Sequence, residues 1–258
     1  MFQSAGHRKS FIFLIAPLIA AAFILTIGIV AIYNASQDFW VLGYRLADIV
    51  PIKMNTGIVF IMAALALALR SIHVTHGIIR TIAKALASIF ALSVVLLGAA
   101  ALLRYFFGID IGVETLFAKV GVHGKFWLNE SPLAALGFVL LGFCLLLLDY
   151  RTSSGHYPSE YVAFILIGMM GIPLVGQLYN VMSIGVADVA RTMVPFISVI
   201  FMVLGLGVLS ARPSHRLMCL WNSQLPGGPI LRRLLPNSLL MLVILDFAIK
   251  WGVQNRFY

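Results

Sequence analysis

Charge is scarce in this chain. Only 10% of its 258 residues are Asp, Glu, Lys or Arg, where a soluble domain carries about 25%. So few charges cannot cover a water-facing surface. With 61% hydrophobic residues and a mean hydropathy of +1.02, most of the exterior has to face lipid. Acids are the scarcest: 9 Asp and Glu stand against 18 Lys and Arg, a net charge of +9. A basic surplus is also the footprint of nucleic-acid binding. Here the basic residues stand in short loops between apolar runs, where membrane orientation accounts for them, and no nucleic-acid partner is expected. Cysteine is limited to Cys144, inside an apolar run, and Cys219, in a basic loop. No CxxC is present, and two free thiols on or near a reducing side are expected. Catalytic patterns are missing too: no Ser/His/Asp arrangement, phosphate loop or pair of in-membrane carboxylates. No enzyme activity is expected. No cofactor is predicted either, and no histidine sits in a span to act as an axial haem ligand.

What the chain does have is a series of apolar runs. Lipid offers no partner to an open backbone, so a spanning helix needs about 20 mostly apolar residues. Seven runs qualify, at 11–33, 54–70, 83–106, 131–149, 160–180, 193–211 and 234–251. The predicted fold is therefore an all-α membrane protein. It is a polytopic bundle of about seven transmembrane helices, three hairpins plus a final helix, forming a single integral membrane domain over 1–258. The first run follows His7-Arg-Lys-Ser10. It is too long for a signal-peptide core and lacks a small-x-small cleavage site, so it reads as a retained anchor.

Orientation follows from the short loops. With the N-terminus in the cytoplasm, Arg8, Lys9, Arg70, Arg80, Lys84, Arg151, Arg212, Arg216, Arg232 and Arg233 lie inside, and the other eight basic residues lie outside. That majority is narrow. The longest inner loop, 212–233, nevertheless carries four arginines and no acid, as the positive-inside rule requires. The outer loops hold six of the nine acids: Asp38, Asp48, Asp110, Glu114, Glu130 and Asp188.

The order of features repeats. Three ascending helices end near Tyr33, Tyr105 and Tyr179. Each descending helix opens on capping or small residues: Met54-Asn-Thr56, Asn129-Glu-Ser-Pro132 and Arg191-Thr-Met-Val-Pro195. Asn, Ser or Thr there caps exposed N–H groups, and proline suits a first turn. The segments starting at Gly57, Leu136 and Ile197 then align as similar apolar helices, with small residues such as Gly142, Gly205 and Gly207 for close approach. The outer stretches 36–53 and 105–130 carry Phe39, Trp40, Tyr44, Phe126 and Trp127, a composition suited to the headgroup layer.

Two of these helices, Ser131-Pro132 to Asp149 and Thr192 to Arg212, are Leu/Gly-rich and end in Asp or Arg. Together with Leu225-Pro-Gly-Gly-Pro-Ile-Leu-Arg-Arg-Leu-Leu-Pro-Asn-Ser-Leu-Leu240, they resemble the N-terminal multi-helix membrane region of bacterial sensor kinases. Those proteins carry PAS and histidine-kinase domains after the membrane part. The likeness extends from about residue 12 to 258. It implies a sensor module in the bacterial cytoplasmic (inner) membrane, multi-pass, with a cytoplasmic N-terminus. It departs from that pattern at Arg256-Phe-Tyr258, where the family continues into a further helix and signalling domains. No His-box, ATP lid or PAS-like segment is present; either output comes from a separate signalling protein, or the sequence is a fragment or early stop of a longer kinase.

The candidate site residues each have two readings. Asp246 and Lys250, four apart on the seventh run, share a helix face; they are either a ligand or ion site or a neutralising pair with a snorkelling lysine. Arg104, Gln177 and Asn180 end ascending helices. With Asp246 and Lys250 they either line an outward-facing polar pocket or hydrogen-bond between helices. Arg212, Arg216, Arg232 and Arg233 flank Pro226-Gly-Gly-Pro229. They are expected to meet anionic lipid headgroups or a cytoplasmic partner, or else to serve topology alone. His73 and His76 lack the further ligands of a metal shell. Two function classes follow: a non-catalytic sensor-like module acting through another membrane or signalling protein, and an accessory subunit of a larger bacterial membrane complex.

Overall fold

A computed structural model describes residues 3–36, 40–41, 44–45, 52, 54–72, 77–108, 131–153, 155–178 and 195–212. Six helices occupy these residues: α1 (Gln3–Ser36), α2 (Met54–Ser71), α3 (Gly77–Phe107), α4 (Pro132–Leu146), α5 (Pro158–Leu178) and α6 (Pro195–Ser210). They coincide with six of the seven predicted runs; the run at 234–251 lies outside the described residues. Between α1 and α2 a two-residue ladder pairs β1 (Trp40–Val41) with β2 (Tyr44–Arg45). The described chain is otherwise all-helical.

Local chemistry sets several of the ends. Ser131 caps α4: its hydroxyl accepts the Ala134 N–H at 3.2 Å, and Pro132 occupies the first helical position, where its missing donor costs nothing. Gly108 stops α3 with φ +65, donating its N–H to the Arg104 carbonyl at 2.9 Å, a left-handed cap that favours glycine. Past Leu146 the chain leaves α4 through a short turn. There Gly155 donates to the Thr152 carbonyl and Thr152 to the His156 carbonyl, and α5 starts at Pro158.

The helices form three antiparallel hairpins, α1–α2, α3–α4 and α5–α6, closed into a ring. The descending helices α2, α4 and α6 meet at the centre. Each ascending helix lies in the cleft between two of them: α3 between α2 and α4, α5 between α4 and α6, α1 between α6 and α2. Phe60, Phe138 and Phe201 meet on the central axis, with ring centroids 4.9–5.0 Å apart in tilted and edge-on pairs. Each phenylalanine begins the same buried stripe at +3, +4 and +7: Ala63, Ala64, Leu67; Leu141, Gly142, Leu145; Leu204, Gly205, Val208. That spacing keeps one helix face on the axis.

The repeat expected from sequence is therefore present, with a corrected register. The ring contacts set Gly57 level with Ala135 and Ser198, whereas the sequence alignment sets it level with Leu136 and Ile197. Within the α3–α4 hairpin, backbones approach closely at glycine. A Cβ on Gly98 would lie 2.9 Å from the Ala135 carbonyl, and one on Gly142 would meet the Val95 side chain and lie 2.9 Å from the Ala91 carbonyl.

Two helical segments are long and apolar enough to cross a membrane, Ile15–Tyr33 and Gly77–Phe107. The others are shorter apolar helices: Asn55–Ser71, Pro132–Leu146, Pro158–Leu174 and Phe196–Ser210. The predicted fourth span, 131–149, ends early because the last helical residue is Leu146. Asp149 has left the helix to meet two arginines.

Candidate functional site

Ten or eleven residues beyond each axial phenylalanine stands a charged residue, and the fold brings the three together. Arg70 occupies the last turn of α2, Asp149 follows α4 in its terminal turn, and Arg212 follows α6. Asp149 Oδ1 accepts from Arg212 Nη2 at 2.7 Å and from Arg212 Nε at 3.1 Å, while Oδ2 accepts from Arg70 Nη1 at 3.3 Å. Arg70 Nη2 donates to Ser88 Oγ of α3 at 2.9 Å. Arg212 Nη2 also donates to the Arg70 backbone carbonyl at 3.2 Å, and Nη1 to the Ala211 carbonyl at 3.0 Å. One carboxylate thus ties the ends of all three inner helices, with α3 attached through Ser88. The second guanidinium satisfies carbonyls that the helix ends leave open.

The three side chains differ in environment. That of Arg70 is 6% exposed, that of Arg212 23% and that of Asp149 30%. Arg70 Nε is buried without a hydrogen-bond partner. Burial works to raise the Asp149 pKa, but hydrogen bonding from Arg212, followed by the charges of Arg212, Arg70 and Lys84, outweighs it and holds the carboxyl below the ordinary carboxylate range. Asp149 is thus ionised at neutral pH and the cluster keeps one excess positive charge. A carboxylate pinned by two guanidiniums is a poor base or nucleophile. The arrangement acts as a clasp on the helix ends.

The predicted site residues fall differently. Arg212, expected in a lipid- or partner-binding loop, has its guanidinium engaged in the clasp; Arg216, Arg232 and Arg233 lie outside the described residues. Arg104 stands in the last turn of α3 and Gln177 in the last turn of α5. Both helix ends lie at the end of the bundle away from the clasp. Asn180, Asp246 and Lys250, the other members of the expected polar pocket, lie outside the described residues, as do His73 and His76. Among the described residues no three His, Cys, Asp or Glu side chains stand close enough to hold a metal. Sequence reading missed the Arg70–Asp149–Ser88 part of the clasp. The one signal for it was the phenylalanine-to-charge spacing shared by the three descending helices.

Cys144 is buried within α4 and forms no disulfide among the described residues. Compared with known protein families, curated proteins and solved structures, the chain matches none.

Proposed function

We propose that this chain is a polytopic membrane module without catalytic activity, sensor-like, which acts through a separate signalling protein. The observation that carries the membrane reading is the exposed apolar belt. Ile19, Ile29, Leu96, Phe106, Ile165 and Ile172 are each 59–68% exposed, and only 33% of an 18-residue apolar window in each long segment is buried. In a soluble protein such helices would be core, and in lipid such exposure costs nothing. The seven-span bundle takes α1 to α6 as spans and adds the run at 234–251. The basic residues Arg70, Arg80, Lys84, Arg151 and Arg212 gather at the clasp end, which supports a cytoplasmic assignment for that end and for the N-terminus. The resemblance to bacterial sensor kinases supports the inner membrane and the sensory role. The clasp joins the three inner helices at the end from which a signal would leave.

An accessory subunit is the second reading, favoured by the outer face of α5. A Cβ added to Gly168 or Gly171 there would meet nothing within 4 Å, and Phe164 and Ile172 beside them are exposed. Small residues on an open helix face suit a helix of another subunit.

Alkaline carbonate extraction of cell membranes tests the first premise: an integral protein stays in the pellet, and release into the supernatant refutes it. Mild-detergent extraction at native expression, with mass spectrometry of everything that elutes with the chain, separates the roles. Elution alone or with a kinase or response protein supports the module. A stoichiometric larger assembly refutes it in favour of the subunit.

A further inference from the structure

Most helical glycines of the bundle stand where a neighbour leaves no room. At Gly28, Gly98, Gly137, Gly142, Gly205 and Gly207 an added Cβ would come within 3.0 Å of another helix. Gly168 and Gly171 of α5 differ, because a Cβ there would meet nothing within 4 Å. A glycine inside a helix costs about 1 kcal/mol relative to alanine, and here no close approach accounts for it. Two residues further on, Pro173 stands inside the same helix and is buried. Proline has no N–H, so the Met169 carbonyl loses its donor from the next turn. Gly168-Met-Met-Gly-Ile-Pro173 thus combines helix-weakening residues with a carbonyl short of its bond, and sharp helix bends concentrate at such residues.

A partner for that carbonyl stands across the α5–α6 hairpin. Ile167 faces Gly205, its side chain 2.8 Å from where a Cβ would be. The two helices run antiparallel, and seven residues make about two turns of each. Two turns away from the clasp, Ser198 therefore comes level with Leu174, on the same pair of facing sides. That turn of α5 also contains Met170 and Pro173. Ser198 is 0% exposed, and its hydroxyl has no hydrogen-bond partner among the described residues. A donor and an acceptor, each short of a partner, thus stand at one level of two adjacent helices. In a membrane, a carbonyl freed by proline is re-satisfied by a Ser or Thr of a neighbouring helix or by water.

We propose that residues 168–173 form a hinge in α5 and that Ser198 is its latch. In one state the end of α5 away from the clasp stands as in this structure, with the Ser198 hydroxyl unpartnered. In the other, the arm 173–178 leans toward α6 and the hydroxyl donates to the Met169 carbonyl. The inference rests on the membrane reading above, because lipid offers neither group a partner. A helix of another subunit laid on Gly168 and Gly171 would account for those glycines, but for neither Pro173 nor Ser198.

The test uses the full chain in mild detergent, lacking Cys144 and Cys219 and carrying pairs of spin labels on introduced cysteines. One pair, at Leu103 and Leu178, joins α3 to the arm. The other, at Ile89 and Tyr161, joins the same two helices on the clasp side of the hinge. Distance distributions are read by double electron–electron resonance. The arm is about 9 Å long, so a swing of about 20° moves its tip by about 3 Å. In wild type the first pair is expected to give a distribution about 3 Å broader than the second. P173A gives the carbonyl its donor and S198A removes the latched state, so each should narrow the first pair to the width of the second. S198A deletes a hydroxyl without a partner and is expected to keep the fold even where P173A does not. Equal widths in wild type overturn the hinge, and a width that either variant leaves unchanged overturns its pairing with the latch. Carbonate extraction decides the membrane reading separately. A protein that stays in the pellet but shows equal widths keeps the bundle and loses the hinge; release into the supernatant removes both.

Discussion

Replacing Asp149 by asparagine tests the clasp directly. The carboxylate accepts from Arg212 at 2.7 and 3.1 Å and from Arg70 at 3.3 Å. Breaking a fully buried pair by removing one partner costs about 3–5 kcal/mol, while an exposed pair contributes about 0–1 kcal/mol. This cluster lies between those limits, because Arg70 is 6% exposed but Asp149 is 30% exposed. Ser88 still holds one Arg70 nitrogen, and the asparagine amide oxygen keeps one acceptor. The expected loss is about 2 kcal/mol, most of it from leaving the Arg70 guanidinium buried without a counter-charge. At about 2–4 °C per kcal/mol for a chain of this size, D149N should melt about 4–8 °C below wild type in detergent, followed by intrinsic fluorescence. The mechanism makes a second demand. If an orphaned charge is the cost, R70M/D149N, which removes that charge, should be at least as stable as D149N alone. A D149N shift under about 1 °C, or a double variant that loses the sum of two separate penalties, would sink this explanation.

Acid should act on the same carboxylate. Its folded pKa is depressed, so its contribution is full above the unfolded value of about 4 and fades as pH falls through the lower folded value. The midpoint gap between wild type and D149N should hold from pH 7 to about 5 and close below about 4; a gap that closes near pH 6 contradicts the assignment. Phe138 touches two rings at 4.9 Å. Lipid is as apolar as the core, so F138A should lose packing alone, about 2 kcal/mol against the 3–5 kcal/mol typical of water-soluble cores, and F138L should lose about half of that in the same melts. G142A should lower the midpoint by several degrees, because its new methyl meets Val95 and the Ala91 carbonyl, whereas G168A, facing open space, should match wild type. Equal effects of these two would contradict the α3–α4 crossing.

The helices were legible because apolar runs and their caps are local. Ser131-Pro132 announced the start of α4, and the hydroxyl-to-Ala134 bond is what that pair encodes. The N-terminal extension of α3 was not legible: a hydropathy reading stops at Lys84 and Arg80, whereas backbone hydrogen bonding continues through them to Gly77. The repeat could be seen, but its register could not. A one-residue slip preserves composition while turning every side chain by about 100° about the helix, and only the contact of Phe60, Phe138 and Phe201 fixes it. The clasp was hidden by distance along the chain. Arg70 and Asp149 are 79 residues apart and Arg212 and Asp149 63, so no local pattern joins them. Each of the three also had a sufficient separate explanation as a helix-end charge. The expected pocket of Arg104, Gln177, Asn180, Asp246 and Lys250 depends on the seventh run, and helix ends alone do not assemble it.

Everything proposed for this chain depends on a membrane bundle whose clasp end faces the cytoplasm. Single cysteines placed at Ser153, in the turn after α4, and at Phe107, the last residue of α3 and 70% exposed, test it in a background lacking Cys144 and Cys219. Intact cells or spheroplasts are treated with a membrane-impermeant maleimide before and after permeabilisation. F107C is expected to label in intact cells and S153C only after permeabilisation. The reverse pattern would contradict the orientation, and labelling of both or neither without permeabilisation would contradict a bundle that crosses the membrane between them.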